Sequence, residues 1–111
     1  MNENLKLSKK SLRLILKRAN SNLSPTKIIN QLIKNEDEKK PPTYLMIHEK
    51  FTNFNWKIIR STNGVDLFCF ANLNDEQNAE YGYVTFKEID DAFMLSDGGD
   101  DNKFEVKLVN S

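Results

Sequence analysis

The chain has 111 residues, 39% of them hydrophobic and 29% charged, with 16 basic and 16 acidic side chains, zero net charge and one cysteine. That length fits one domain with a modest core, and seven Phe, three Tyr and one Trp argue against a disordered chain. A single cysteine excludes an intrachain disulfide, and no apolar run approaches the ~20 residues of a membrane span.

The first predicted element is a helix over Ser8 to Asn20, with Ser8 as its N-cap. Leu12, Ile15, Leu16 and Ala19 share one face at helical spacing. A second helix starts at Ser24-Pro25, a good N-cap followed by a proline whose missing N–H costs nothing at that position. Ile28, Ile29, Leu32 and Ile33 form its apolar stripe, and Asn35 can end it. Residues 35–42 are charged and end in two prolines, so they read as a linker.

Beyond the linker the apolar period changes to that of strands. Thr43 to His48 is the first; Phe54 to Arg60 is the second, with Phe54, Trp56 and Ile58 on one side. Ser61-Thr62-Asn63-Gly64 predicts a hairpin turn. Val65 to Ala71 is apolar on both faces, which predicts a central strand. Tyr81 to Thr85 is a short fourth strand. Thr85 and Glu88 match a capping box for a helix to about Phe93, with Ile89, Ala92 and Phe93 on its apolar face. Lys103 to Val109 alternates Phe104, Val106 and Leu108 as a terminal, edge strand. The expected architecture is α+β in a single domain, 1–111: a helical pair, then a small, mainly antiparallel sheet of four to five strands carrying one short helix.

Zero net charge conceals a division. Residues 1–34 hold eight bases against Glu3 alone, a net of +7; residues 35–111 hold eight bases against fifteen acids, a net of −7. Such asymmetry hints at an interaction surface. The candidate basic face is Lys9, Lys10, Arg13, Lys17 and Arg18, able to follow a phosphate backbone. The candidate acidic face is Asp75, Glu76, Asp90, Asp91, Asp97, Asp100 and Asp101, able to engage the basic channel of another protein. The plain alternative is that both are solvated surfaces that complement each other.

The segment from Pro41 to Ala92 resembles a domain family of unknown function, DUF2958, found in bacterial plasmids, phages and integrated conjugative elements. The resemblance lies in Lys50-Phe51, Asn55-Trp56-Lys57-Ile58, Asp66-Leu67-Phe68-Cys69-Phe70 and, most specifically, Tyr81-Gly82-Tyr83-Val84-Thr85-Phe86-Lys87-Glu88-Ile89. Ala71 stands where the family pattern has glycine. The resemblance implies a mobile-element setting and no catalytic residues.

Little in the chain points to catalysis. His48-Glu49 holds the one histidine, too few ligands for a dedicated zinc site. A Cys69–His48 nucleophile pair lacks a supporting motif, and Cys69 sits in an apolar run where a thiol acts as a small core hydrophobe. Asp97-Gly98-Gly99-Asp100-Asp101-Asn102 lacks EF-hand spacing and reads as a solvated loop. No phosphate-binding or dinucleotide motif is present. No cofactor or metal is expected. The amino terminus lacks a signal-peptide pattern, so a cytoplasmic location is expected. The expectation is therefore a small protein-interaction module, a regulator or inhibitor of a host or viral protein, including a nucleic-acid-handling defence enzyme. A nucleic-acid-binding protein using the basic helices, or a small enzyme, are the alternatives.

Overall fold

The structure, a computed structural model, describes residues 3–37, 43–49, 55–72, 80–97 and 104–110. In chain order these form α1 (Glu3–Arg18), α2 (Pro25–Asn35), β1 (Thr43–Glu49), β2 (Asn55–Ser61), β3 (Leu67–Asn72), β4 (Glu80–Val84), α3 (Phe86–Asp97) and β5 (Phe104–Asn110). The strands make one antiparallel sheet in the order β4-β3-β2-β1-β5. The α+β architecture is the expected one.

Helix α1 starts earlier than its cap signal suggested. Leu5 extends the apolar face by a further turn and packs against the core. Ser8 is therefore not an N-cap; it is buried within the helix, and its hydroxyl donates to the Gly64 carbonyl at 2.6 Å. The helix ends where Asn20 takes a left-handed φ of 52°. Ser21 N–H then reaches the Leu16 carbonyl (2.9 Å) and Asn20 N–H the Lys17 carbonyl (3.1 Å), which satisfies carbonyls the helix would otherwise leave unpaired.

The second helix begins as its sequence dictates, with Ser24 Oγ accepting from Lys27 N–H and Pro25 at the first turn. Asn35 closes it and does more than stop it. Buried completely, its amide donates to the carbonyls of Thr43 (2.5 Å) and Ile59 (3.0 Å) and accepts from Gln31 (2.9 Å). One side chain thus ties α2 to β1 and β2. Ile33, placed on the apolar stripe by spacing, is 36% exposed at its rim.

The β2–β3 turn is longer than a two-residue hairpin. Asn63 Oδ1 accepts from Val65 and Asp66 N–H, both at 2.9 Å, and Ser61 Oγ accepts from Gly64 N–H at 2.9 Å. Gly64 sits at φ 78°, buried between Leu5 of α1 and Ile29 of α2. In α3, Glu88 N–H donates to Thr85 Oγ1 (3.1 Å), as a cap requires. The helix runs past Phe93 to Asp97. Its buried residues include Phe86, Ile89 and Asp90, whereas Ala92, expected on the buried face, is exposed.

A single core takes Leu12, Ile15 and Leu16 from α1, Ile28, Ile29 and Leu32 from α2, and Phe86 and Ile89 from α3. The sheet contributes one alternate set: Leu45, Ile47, Trp56, Ile58, Leu67, Cys69 and Phe104. All three helices therefore pack on the same side of the sheet. Among the described residues no helix covers the other side.

Candidate functional site: the open face of the sheet

Strand alternation sends Tyr44, Met46 and His48 of β1 to the side opposite Leu45 and Ile47. Pairing register then defines rows across that open face. The longest crosses all five strands: Tyr81, Phe70, Lys57, Met46 and Lys107. A second row joins Tyr83, Phe68 and Arg60. A third joins Asn72, Asn55, His48 and Glu105.

The first two rows build an aromatic cluster at the β3–β4 end. Phe68 lies parallel to Tyr81, with ring centroids 5.6 Å apart and planes 9° from parallel. Phe70 meets the same Tyr81 at 4.8 Å and 55°, and Phe68 meets Tyr83 at 5.5 Å and 59°. Offset and tilted pairs of this kind gain about 0.5–1.5 kcal/mol each. The cluster is nonetheless wet: Tyr81 is 63% and Tyr83 73% exposed. These two rings lie on an edge strand with nothing stacked beyond them among the described residues.

Cations interleave with the rings. A bulge between Ile58 and Arg60 inserts an extra residue in β2. Such insertions re-aim side chains, and here the Arg60 guanidinium sits 4.4 Å from the centre of the Phe68 ring. Glu36, just past α2, lies 3.6 Å from Arg60. Lys57 Nζ sits 4.4 Å from the centre of the Tyr44 ring. With Lys107, the face carries three cations against two carboxylates among the side chains described there, Glu105 and the Glu36 beside Arg60. It is cationic although it belongs to the segment with a net charge of −7.

The third row is polar. Its His48, Asn55 and Glu105, with Met46 and Lys107, line a shallow depression of about 270 Å³. His48 Nδ1 stands 3.9 Å from Glu105. Asn72 Oδ1, at the other end of the row, is buried without a hydrogen-bond partner. Cys69 takes no part here. It faces the core, 2% exposed, while His48 faces the opposite side, so the two cannot act as a pair. Burial, with a smaller push from the Glu88 charge, raises the Cys69 thiol from its ordinary 9.0 to about 11. Among the described residues, no three His, Cys, Asp or Glu side chains gather as a metal site.

The charged residues singled out from sequence fall differently. Lys10, Arg13 and Lys17 are exposed on α1 and Lys9 is partly so. Arg18 turns inward and pairs with Asp90 of α3, the two side chains only 15% and 13% exposed. One member of the basic face is thus joined to one member of the acidic face. Asp91 pairs with Lys87 one turn away at 2.8 Å, a contact that raises the lysine above its ordinary range. Asp75, Glu76, Asp100, Asp101 and the side chain of Asp97 lie outside the described residues.

Sequence reasoning missed the aromatic face. The signal was present as aromatic pairs at i and i+2, Phe68/Phe70 and Tyr81/Tyr83, each pair on one side of its strand. The two-sided apolarity of β3 predicts a central strand. The strand lies second from the edge, with Leu67 and Cys69 buried and Phe68 and Phe70 only half-buried. No helix of the described residues is long and apolar enough to cross a membrane. Comparison of the chain with protein-family models, with curated proteins and with solved structures finds no match in any of the three.

Proposed function

We propose that the chain is a small binding module and not an enzyme, and that it docks a macromolecular partner on the open face of its sheet. The observation that carries this reading is the exposed aromatic cluster: Tyr81 and Tyr83 remain mostly in water beside Phe68 and Phe70, on a face with no helix over it among the described residues. Aromatic side chains and arginine are the residue types that anchor interfaces. Regulation or inhibition by occupying the partner is the role that suits such a module, and it fits the mobile-element setting implied by the resemblance to DUF2958. An acidic docking surface is less well supported, because Asp90 is already paired with Arg18 and Asp91 with Lys87. The exposed Lys10, Arg13 and Lys17 of α1 support a second reading, nucleic-acid binding by the helices.

Site-specific photo-crosslinking separates the two surfaces. A crosslinking amino acid at Tyr83 in extract of the source cells is expected to give discrete adducts that diminish with Tyr81→Ala, and one at Lys10 to give few. Adducts from Lys10 alone would move the working surface to α1. No adducts from either position would end the binding-module reading.

A further inference from the structure

Three features of the open face together point to a ligand that is a polyanion, has flat π surfaces and displays polar edges. We propose that the face binds single-stranded nucleic acid, with bases stacked on Tyr81 and Tyr83, phosphates along Lys57, Arg60 and Lys107, and base edges against the polar third row. This rests on the reading of the open sheet face as the working surface and names its occupant.

Charge complementarity decides the class. The surrounding segment is acidic, yet this face holds three cations against two described carboxylates, Glu105 and the Glu36 beside Arg60. Glu36 neutralises Arg60 only in part, since both side chains remain over one-third exposed at 3.6 Å. The cations lie across the strands, not clustered at one spot: Arg60 and Lys57 on β2, Lys107 on β5. Adjacent strands are separated by ~4.8 Å, so the row from Tyr81 to Lys107 spans roughly 19 Å. Backbone-tracking cations beside stacking rings are how single strands are held without sequence preference, in sites from about four nucleotides upward. A duplex hides its base faces and leaves Tyr81 and Tyr83 with nothing to stack on. Asn55 and His48 of the third row are side chains of the kind that contact splayed base edges. The depression by His48 has Lys107 in its wall.

The test uses the full chain and fluorescence anisotropy with labelled ten-nucleotide oligo-dT and oligo-rU, and a duplex of equal length, at low salt. Binding of a single strand tighter than duplex is expected, and the two oligomers distinguish DNA from RNA as the source. Tyr81→Ala and Tyr83→Ala, both at exposed positions, should each weaken it roughly tenfold or more. Affinity should fall with salt at a logarithmic slope of about −2, for three phosphate contacts on a single strand. Lys57→Glu and Lys107→Glu should weaken it further, while Lys10→Glu and Arg13→Glu on α1 should change it less than twofold. Circular dichroism of each variant confirms that the fold is kept. Absence of single-strand binding at low salt, preference for the duplex, or loss confined to the α1 variants would overturn the proposal. If single strands do not bind while Tyr83 crosslinks to protein in extract, the occupant is wrong and the binding module stands. If both experiments are negative, both readings fall.

Discussion

Replacing Gly64 by alanine should unfold this protein more readily than its small chemical change suggests. Two costs combine. At φ 78° an L-residue loses about 1–2 kcal/mol relative to glycine. A Cβ there would also stand 2.8 Å from Leu5 Cδ1 and 2.9 Å from Ile29 Cγ2, closer than carbon atoms tolerate. Relieving that overlap in a packed core costs about 1–3 kcal/mol. Their sum, about 2–5 kcal/mol, is a large part of the ~5–15 kcal/mol that holds such a domain together. Urea denaturation followed by circular dichroism reads the loss directly, and a drop in melting temperature of about 10 °C or more should accompany it. Gly82→Ala is the matched control, since its Cβ would meet nothing within 4 Å. It should change stability by less than ~1 kcal/mol. A Leu5→Ala background separates the two costs. There Gly64→Ala should lose less than it does alone, because the nearest overlap is gone while the backbone strain persists. A Gly64→Ala loss below ~1 kcal/mol, or an equal loss from Gly82→Ala, would refute the argument that this turn is wedged between α1 and α2.

Two further predictions concern groups the fold has turned inward. Arg18→Leu and Asp90→Leu should each cost about 2–3 kcal/mol, because either change breaks this ion pair and leaves a largely buried charge behind. In a double-mutant cycle the pair should show a coupling of about 1–2 kcal/mol, and a coupling near zero would mean that the two charges do not sense each other. Cys69, raised to about 11, should react with a disulfide reagent at pH 8 on the order of a hundredfold more slowly in the folded chain than in urea. The sign of the linked effect follows. A raised thiol pKa contributes stability that is whole below pH 9.0 and is lost as pH rises toward 11. Denaturation midpoints that hold steady across that range, or equal thiol rates folded and unfolded, would contradict burial of this side chain.

The local elements were legible because local rules set them. Ser24-Pro25 and Thr85 with Glu88 announce helix starts through backbone donors that need nearby acceptors, and both caps form. Alternation of Trp56 and Ile58, and of Phe104, Val106 and Leu108, placed the inward rows of β2 and β5. Ser8 misled for the same reason that the caps succeeded. A serine ahead of an apolar run is a sound cap signal, but its hydroxyl found a partner in Gly64, distant in sequence, and the helix continued past it.

The amino-acid sequence by itself determined the α+β class, the three helices, the strand-forming segments and the division of charge. It could do so because periodicity, capping and turn chemistry act over a few residues. Only the tertiary structure decided which side of the sheet the helices cover. That choice depends on connections and register spanning the whole chain, and a half-buried Phe68 or Phe70 has the same local pattern as a fully buried one. The same long-range choice turned Arg18 toward Asp90, so part of the charge division is satisfied inside the fold. It also left Lys57, Arg60 and Lys107 on the sheet face that carries the exposed tyrosines, giving a more basic surface to the half of the chain that its composition marks as acidic.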